Sequence, residues 1–181
     1  KKKKNKNIPC AVNIDISSIF GIYHIFTAQE IILEYYEAET QLIEEFVDAL
    51  GEIPDAHAHI KGREVSVGAH NRIDALVDLR IAGQAHILLV EAKRSIYPRD
   101  VRQAIWQMDE YKQAASTPEI KNAIPFLIAY ALSPGARKVL REHKVGYYDR
   151  GGSLYSPISG AYVYIDKPAP KPMKKRVHLG L

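Results

Sequence analysis

The chain has 181 residues, 46% of them hydrophobic, which is enough for one domain around a single core. The single cysteine, Cys10, excludes an internal disulfide framework and favours a reducing compartment, cytoplasmic or nucleoid-associated in a bacterium; no apolar run approaches the roughly 20 residues of a membrane span. The net charge of +4 is modest for a nucleic-acid-binding protein, so the distribution of the charges is more informative than their sum.

The first predicted element is a long helix. Thr27-Ala28-Gln29-Glu30 has the capping-box pattern that opens a helix, and the helical pattern continues to Leu50, before Gly51. We expect an interruption near residues 37–40. Residues 1–26 show no clear secretory cleavage site, and we treat them as an N-terminal extension of a domain at 27–166.

The segments 56–60 and 63–67 are predicted as a strand pair or as one extended stretch, and two further strands follow at 72–80 and 86–93. The last contains the unbroken apolar run Ile87–Val90, which is typical of a strand buried on both faces. It ends at charged residues, which are costly at the end of a buried strand unless they have partners.

Three charged residues are predicted to converge at the end of this strand. Glu91 and Lys93 are two positions apart and therefore share a face, and Asp74 reaches the same face if its strand pairs with theirs. Two carboxylates at one point suit a hard divalent cation such as Mg²⁺ or Mn²⁺. Asp78, four positions further along the same strand, is the alternative acid; we prefer Asp74 because it lies near the open end of the strand.

The next predicted element is a helix from Pro98 to Tyr111 that starts with a proline in its first turn. Gln103 and Gln107 lie along one side of it together with Tyr111. Basic residues lie at and before its start, where helix amides can also meet phosphate, and the candidate DNA-phosphate contacts are Arg94, Arg99 and Arg102.

The remaining elements are predicted as a strand within 123–132, a helix opened by Ser133-Pro134, a strand at 145–149 and an edge hairpin formed by 154–155 and 161–165. The segment 167–181 is a basic, proline-rich tail or linker. Because such tails commonly lead to another module, we expect the natural protein to continue past Leu181 into a DNA-binding domain.

The motif residues and their order resemble the PD-(D/E)xK nuclease superfamily, which has the restriction-endonuclease-like fold. Its pattern is an Asp on one strand, Glu/Asp-x-Lys on the next and a following helix that often carries Gln. The residues that match are Asp74, Glu91 and Lys93, with Gln103 or Gln107 on the helix. Gln107–Tyr111 is also similar to the Gln-x-x-x-Tyr motif of one branch. The resemblance covers about residues 27–150, and it departs from the pattern where Ile73 replaces the proline that often precedes the Asp.

This resemblance implies an α/β domain with an αβββαβ core, in which helices flank a central mixed sheet. It implies a metal-dependent nuclease, in which Asp74, Glu91 and the Ala92 carbonyl hold Mg²⁺ or Mn²⁺ and Lys93 positions or activates the attacking water. Gln103 or Gln107 would orient Lys93 or a phosphate oxygen. A glutamate of the first helix often supports the metal in relatives, and Glu39, Glu44 and Glu45 all remain candidates.

The sequence also allows a binding module without catalysis and a zinc site. A nuclease-like module could bind DNA or a protein partner without cutting it, and cutting both strands of a duplex would call for a homodimer. His57-x-His59, with His70 and His86, is a weaker alternative as a zinc site, because no cysteines stand at ligand spacing.

Overall fold

The computed structural model describes residues 28–94 and 96–168, with side chains in the first helix described from Tyr36 onwards. The proposed N-terminal extension 1–26, the helix cap Thr27 and the tail from residue 169 lie outside the described residues. None of the helices described combines the length and apolar character that crossing a bilayer requires.

The elements follow the predicted order. They are α1 (Ala28–Gly51), β1 (His57–Val67), β2 (Asn71–Ile81), β3 (Gln84–Lys93), α2 (Pro98–Ala114), α3 (Pro118–Lys121), β4 (Ile124–Ala129), α4 (Pro134–Glu142), β5 (Gly146–Asp149), β6 (Leu154–Ile158) and β7 (Ala161–Ile165). The expected αβββαβ core is confirmed, and the short helix α3 is an addition to it.

The described strands form one seven-stranded sheet in the order β1-β2-β3-β4-β5-β6-β7. β3, β4 and β5 are parallel, and the other neighbours are antiparallel, so the sheet is mixed as expected. The parallel register aligns Lys93 with Ala129 and Ala129 with Asp149, which brings the carboxyl ends of the three parallel strands to one edge.

Both faces of the sheet are covered by helices, which explains the unbroken apolar run of β3. Leu89 packs with α2 and α4 on one face, whereas Leu88 and Val90 pack with Leu42 and Phe46 of α1 on the other. All of these side chains are buried, and each buried Leu or Val contributes about 1.5–3 kcal/mol.

One detail of the predicted elements was wrong, and the structure decides between two alternatives that the sequence left open. The helix α1 continues through residues 37–40, because that stretch contains neither Gly nor Pro and the following residues Leu42, Ile43 and Phe46 hold the helix against the sheet. The segments 56–60 and 63–67 form one strand, β1, and not a pair. A bulge between Ile60 and Gly62 shifts its register on β2 and accounts for the apparent interruption.

The turn between β2 and β3 sets the register that matters for the site. Ala82 and Gly83 have φ angles of +50° and +76°, as in the two-residue turns that match the twist of a hairpin. The ladder runs from Ile81↔Gln84 to Ala75↔Val90. The next positions beyond that last pair are Asp74 and Glu91, at the open end of the hairpin.

Candidate active site

Asp74 lies where the ladder between β2 and β3 ends. Its Oδ2 accepts a hydrogen bond from the backbone N–H of Ala92 at 2.8 Å. At this position the Asp74 side chain therefore replaces the backbone carbonyl that would otherwise accept from β3. Asp74 also lines a small cleft together with residues of α1. The carboxylate is thus fixed at the end of β3 by a backbone contact.

Glu91 and Lys93 form the second part of the site. Both lie on the same face of β3 as Leu89, beneath α2. Lys93 Nζ donates to Glu91 Oε1 at 2.5 Å, and the Lys93 side chain is 34% exposed while Glu91 is 1% exposed. The other carboxylate oxygen, Glu91 Oε2, is buried and has no hydrogen-bond partner among the described residues.

The three charges perturb one another. Burial, followed by the negative charge of Asp74, raises the pKa of Glu91 to about 7, even though Lys93 acts in the opposite direction. Burial also raises the pKa of Asp74 despite the Ala92 N–H. Burial by itself would lower the pKa of Lys93, but Glu91 and Asp74 outweigh it and the pKa of Lys93 is raised. Lys93 is therefore a cation at neutral pH, and it faces two carboxyl groups.

Gln107 and Tyr111 cover the site from α2. Gln107 Nε2 donates to Tyr111 Oη, and Tyr111 is buried. Burial raises the pKa of Tyr111, and Glu91 raises it further. Gln107 therefore contacts Tyr111, and it reaches the charged residues through that neighbour. Gln103, one turn earlier, is exposed and makes no such contact.

The structure distinguishes the three glutamates proposed on α1. Glu39 lines a small cleft with Asp74, and its charge is close enough to raise the pKa of Glu91. Glu44 pairs with Arg63 at 2.9 Å, and Glu45 pairs with Arg150 at 2.6 Å. Of the three, Glu39 is the helix acid that lies beside the strand acids.

The proposed DNA-contacting arginines are exposed. Arg94 follows β3 directly, and Arg99 and Arg102 lie in the first turns of α2. Arg99 Nε lies 3.4 Å from Asp100 Oδ1, and its guanidinium lies 5.6 Å from the centroid of the Tyr97 ring. Arg94 therefore borders the end of β3, and all three cations are accessible to a large anionic ligand.

The alternative residues lie elsewhere. Asp78 is opposite Ile87 in the middle of the β2–β3 ladder and opposite His59 on β1, away from the open end. His57 and His59 are exposed on β1, and His86 lies near the hairpin turn. Across residues 28–94 and 96–168, no three His, Cys, Asp or Glu side chains are grouped so that they alone could hold a metal ion, and the alternative zinc site is absent from this part of the chain.

The site nevertheless fits a hard divalent cation that keeps several of its waters. Mg²⁺ is typically bound through one or two carboxylates and completes its shell with water. Asp74 and Glu91 supply two carboxylates against one ammonium, which leaves an excess of negative charge. The buried Glu91 Oε2 needs a partner, because an unsatisfied buried acceptor is costly.

Two features of the cleft were not anticipated. Glu64 of β1 lines it together with Asp74, raises the pKa of Asp74 and pairs with Arg72 at 2.5 Å. The signal in the sequence was weak, since Glu64 adopts a φ of +51° that its residue type does not indicate. Tyr111 was recognised as part of a motif, but its contact with Gln107 and its proximity to the charged residues required the packing of α2 on the sheet.

No family model matches the sequence, and no curated protein sequence does. Similar solved structures include a repair endonuclease from Pyrococcus abyssi, with 23% identity and a TM-score of 0.43 over 67% of this chain and 47% of that one. This chain thus spans about half the length of that endonuclease.

Two smaller proteins are similar over nearly their whole length. An XisH family protein from Nostoc punctiforme has 11% identity and a TM-score of 0.37 over 73% of this chain and 98% of that one. A fdxN element excision controlling factor protein from Anabaena variabilis has 15% identity and a TM-score of 0.38 over 70% and 99%. All three TM-scores are below 0.5, and we base the proposed function on the chain's own residues.

Proposed function

We propose that this chain is a Mg²⁺- or Mn²⁺-dependent nuclease that hydrolyses phosphodiester bonds in DNA. The observation that carries the proposal is the placement of Asp74, Glu91 and Lys93 together at the open end of the β2–β3 hairpin. A surface Glu–Lys pair would not need a buried carboxylate, and Glu91 is 1% exposed. Buried charged groups with shifted pKa values occur preferentially at functional sites.

Asp74, Glu91 and the Ala92 carbonyl would hold the cation, and Glu39, which within the described part of the chain is not grouped with the two strand acids as a third direct ligand, would support it from α1 through a bound water. When bound, the cation supplies a lowered pKa for the attacking water and neutralises charge on the phosphate. The role of Asp74 depends on its hydrogen bond from Ala92 N–H, because that bond fixes the carboxylate relative to the end of β3. The partnerless Glu91 Oε2 is the other oxygen suited to a cation.

Lys93 would act as a cation and a hydrogen-bond donor, because its raised pKa keeps it protonated at neutral pH. A protonated amine cannot accept a proton from water, so in this state its contribution is to orient the nucleophile or to stabilise negative charge on the phosphate. Gln107 would act through Tyr111, which lies close to Lys93. Gln103, being exposed, would contact a phosphate oxygen of the substrate.

Exposed arginines would bind the phosphate groups of DNA by electrostatic attraction. Arg94, Arg99 and Arg102 are exposed next to the site, and each phosphate contact by Arg releases counterions from the DNA. Binding is therefore expected to weaken as the salt concentration rises. A homodimer, and a DNA-binding domain beyond this chain, remain part of the proposal for cutting duplex DNA.

The test is cleavage of plasmid and linear DNA in Mg²⁺ or Mn²⁺, with EDTA as the blank. Glu91→Gln and Lys93→Met should each reduce the cleavage rate by at least about 100-fold, since each removes a charge aimed at the reacting phosphate. The matched controls are Glu119→Gln and Lys61→Met, which break another Glu–Lys pair, exposed on the surface. These controls should retain activity.

Cleavage that survives both Glu91→Gln and Lys93→Met would contradict the proposal and point to a contaminating nuclease. DNA binding that is sensitive to salt, without any metal-dependent cleavage by the native chain, would support the alternative of a catalytically silent binding module.

A further inference from the structure

Two aromatic side chains next to the candidate active site are exposed to solvent. Trp106, the only tryptophan in the sequence, is 61% exposed on α2, and Tyr97, immediately before α2, is 60% exposed. Large aromatic rings usually contribute by being buried, so two exposed rings beside exposed arginines form a surface that a planar ligand would cover. No ring contact of Trp106 is present within the described residues.

Trp106 lies on the side of α2 that faces away from the sheet. The inward side is formed by the buried residues Val101, Ala104, Ile105, Met108 and Tyr111. At 3.6 residues per turn, the outward side contains Arg99, Arg102, Gln103 and Trp106, and together with Tyr97 we call these five residues the α2 outer surface.

This surface adjoins the site. Gln107 follows Trp106 directly and lies at the edge of the helix, where it donates to Tyr111 above Lys93 and Glu91. A polymer bound at the site that passed over Gln107 would meet the α2 outer surface next.

Two exposed arginines of the α2 outer surface are suited to an anionic ligand. Arg99 and Arg102 are both exposed, and Arg99 lies 5.6 Å from the centre of the Tyr97 ring, so a cation and an aromatic ring are held together. Asp109 and Glu110 lie one turn beyond Trp106. Because these carboxylates repel phosphate, a polyanion at Trp106 would extend towards the arginines at the start of α2.

We propose that the α2 outer surface stacks unpaired bases of DNA, so that the preferred substrate of the candidate active site has a single-stranded region. The inference rests on the proposed nuclease function for the identity of the ligand. Only unpaired bases offer both faces to an aromatic ring, because in a duplex the neighbouring base pairs cover them. Aromatic rings interspersed with basic residues are the combination that proteins use to bind single strands without reading their sequence.

The single tryptophan makes the test direct. With EDTA present to prevent cleavage, an oligodeoxynucleotide should quench Trp106 fluorescence, and the same sequence as a blunt duplex should bind at least about 10-fold more weakly. Tyr97→Ala should weaken single-strand binding by about 5-fold or more, the effect of losing about 1 kcal/mol of stacking. Tyr162→Ala is the matched control, since Tyr162 is equally exposed (66%) at the far edge of the sheet and should not alter binding.

A labelled oligonucleotide reports binding by the tryptophan variants through fluorescence anisotropy. Trp106→Ala should weaken binding by about 5-fold or more, whereas Trp106→Phe, which keeps a ring, should retain most of it. Equal affinity for single strand and duplex, together with an unchanged affinity of Trp106→Ala, would overturn the proposal even if the protein cuts DNA. Quenching by single strands in EDTA, together with no cleavage when Mg²⁺ or Mn²⁺ is supplied, would overturn the proposed nuclease function and leave the stacking surface standing.

Discussion

The Asp74 carboxylate accepts a hydrogen bond from the Ala92 backbone N–H at 2.8 Å, at the position where the β2–β3 ladder stops. This bond attaches the acid of one strand to the residue between the acid and the lysine of the other. As a result, the relative position of Asp74, Glu91 and Lys93 depends on the backbone of two strands and not on flexible side chains alone. Such preorganisation is what electrostatic catalysis requires.

Asp74→Asn should reduce DNA cleavage by at least about 100-fold, whereas Asp78→Asn should stay within a few-fold of the native rate. The side-chain amide introduced by Asp74→Asn can still accept from Ala92 N–H through its oxygen, so the fold is preserved while the negative charge is lost. Cleavage rates and thermal unfolding, measured for both variants, check this. If Asp78→Asn reduced the cleavage rate more than Asp74→Asn, Asp78 and not Asp74 would be the strand acid of the site.

Glu91→Gln should stabilise the metal-free protein above about pH 7. The pKa of Glu91 is raised from 4.5 to about 7, so its favourable contribution to stability is complete below pH 4.5 and is lost as the pH rises through about 7. Gln cannot ionise and escapes this loss, which amounts to roughly 1–3 kcal/mol.

Denaturant unfolding in EDTA at about pH 5 and about pH 8 measures the effect, with Glu119→Gln as the exposed control. The gain in the free energy of unfolding should be clear at the higher pH and small at the lower one. A gain of the same size at both pH values would show that the ionisation of Glu91 is not its cause.

Mg²⁺ should raise the unfolding temperature, because a ligand at about 100 times its Kd adds about 2.7 kcal/mol to stability. Glu39→Gln should weaken this effect, since Glu39 shares the cleft with Asp74, and Glu45→Gln should not, since Glu45 pairs with Arg150. The shift should also shrink below about pH 7, where Glu91 takes up a proton. Differential scanning calorimetry with and without Mg²⁺ tests all three points, and equal effects of the two variants would exclude Glu39 as the supporting acid.

Arg137→Ala should destabilise the fold by about 3–5 kcal/mol, because it leaves a buried charge without its partner. Arg137 and Asp149 are both buried and lie 2.7 Å apart, and Arg137 also donates to the Lys167 carbonyl at 2.7 Å. Lys138→Ala is the neighbouring control; Lys138 is 72% exposed, and its loss should cost less than about 0.5 kcal/mol. A small effect of Arg137→Ala in chemical denaturation would mean that water solvates Asp149 in the variant.

Several elements were predictable because their signals are local. The start of α4 is an example: Ser133 caps it with a hydrogen bond from Ala136 N–H at 3.2 Å, as its position before Pro134 indicates. The bulge in β1 was not predictable in the same way. Gly62 marks an irregularity in the sequence, but whether the chain turns there or bulges depends on pairing with β2.

In the candidate site, too, some features follow from local sequence and others depend on tertiary contacts. Residue order alone placed an acid and a lysine at the end of a buried strand, since the alternation of side chains along a strand is a property of the backbone. It could not choose among Glu39, Glu44 and Glu45, because the approach of Glu39 to Asp74 depends on how α1 packs against the sheet. It also did not show that Gln107 contacts Tyr111 and not Lys93.

The sequence by itself determined the order of elements, the two-sided burial of β3 and the pairing of Glu91 with Lys93 on one face, because each follows from periodicity within a few residues. Only the tertiary structure decided that Asp74, and not Asp78, lies beside Ala92, and which glutamate of α1 approaches them. Both outcomes depend on strand register and on helix orientation, which are set by contacts between residues far apart in the chain.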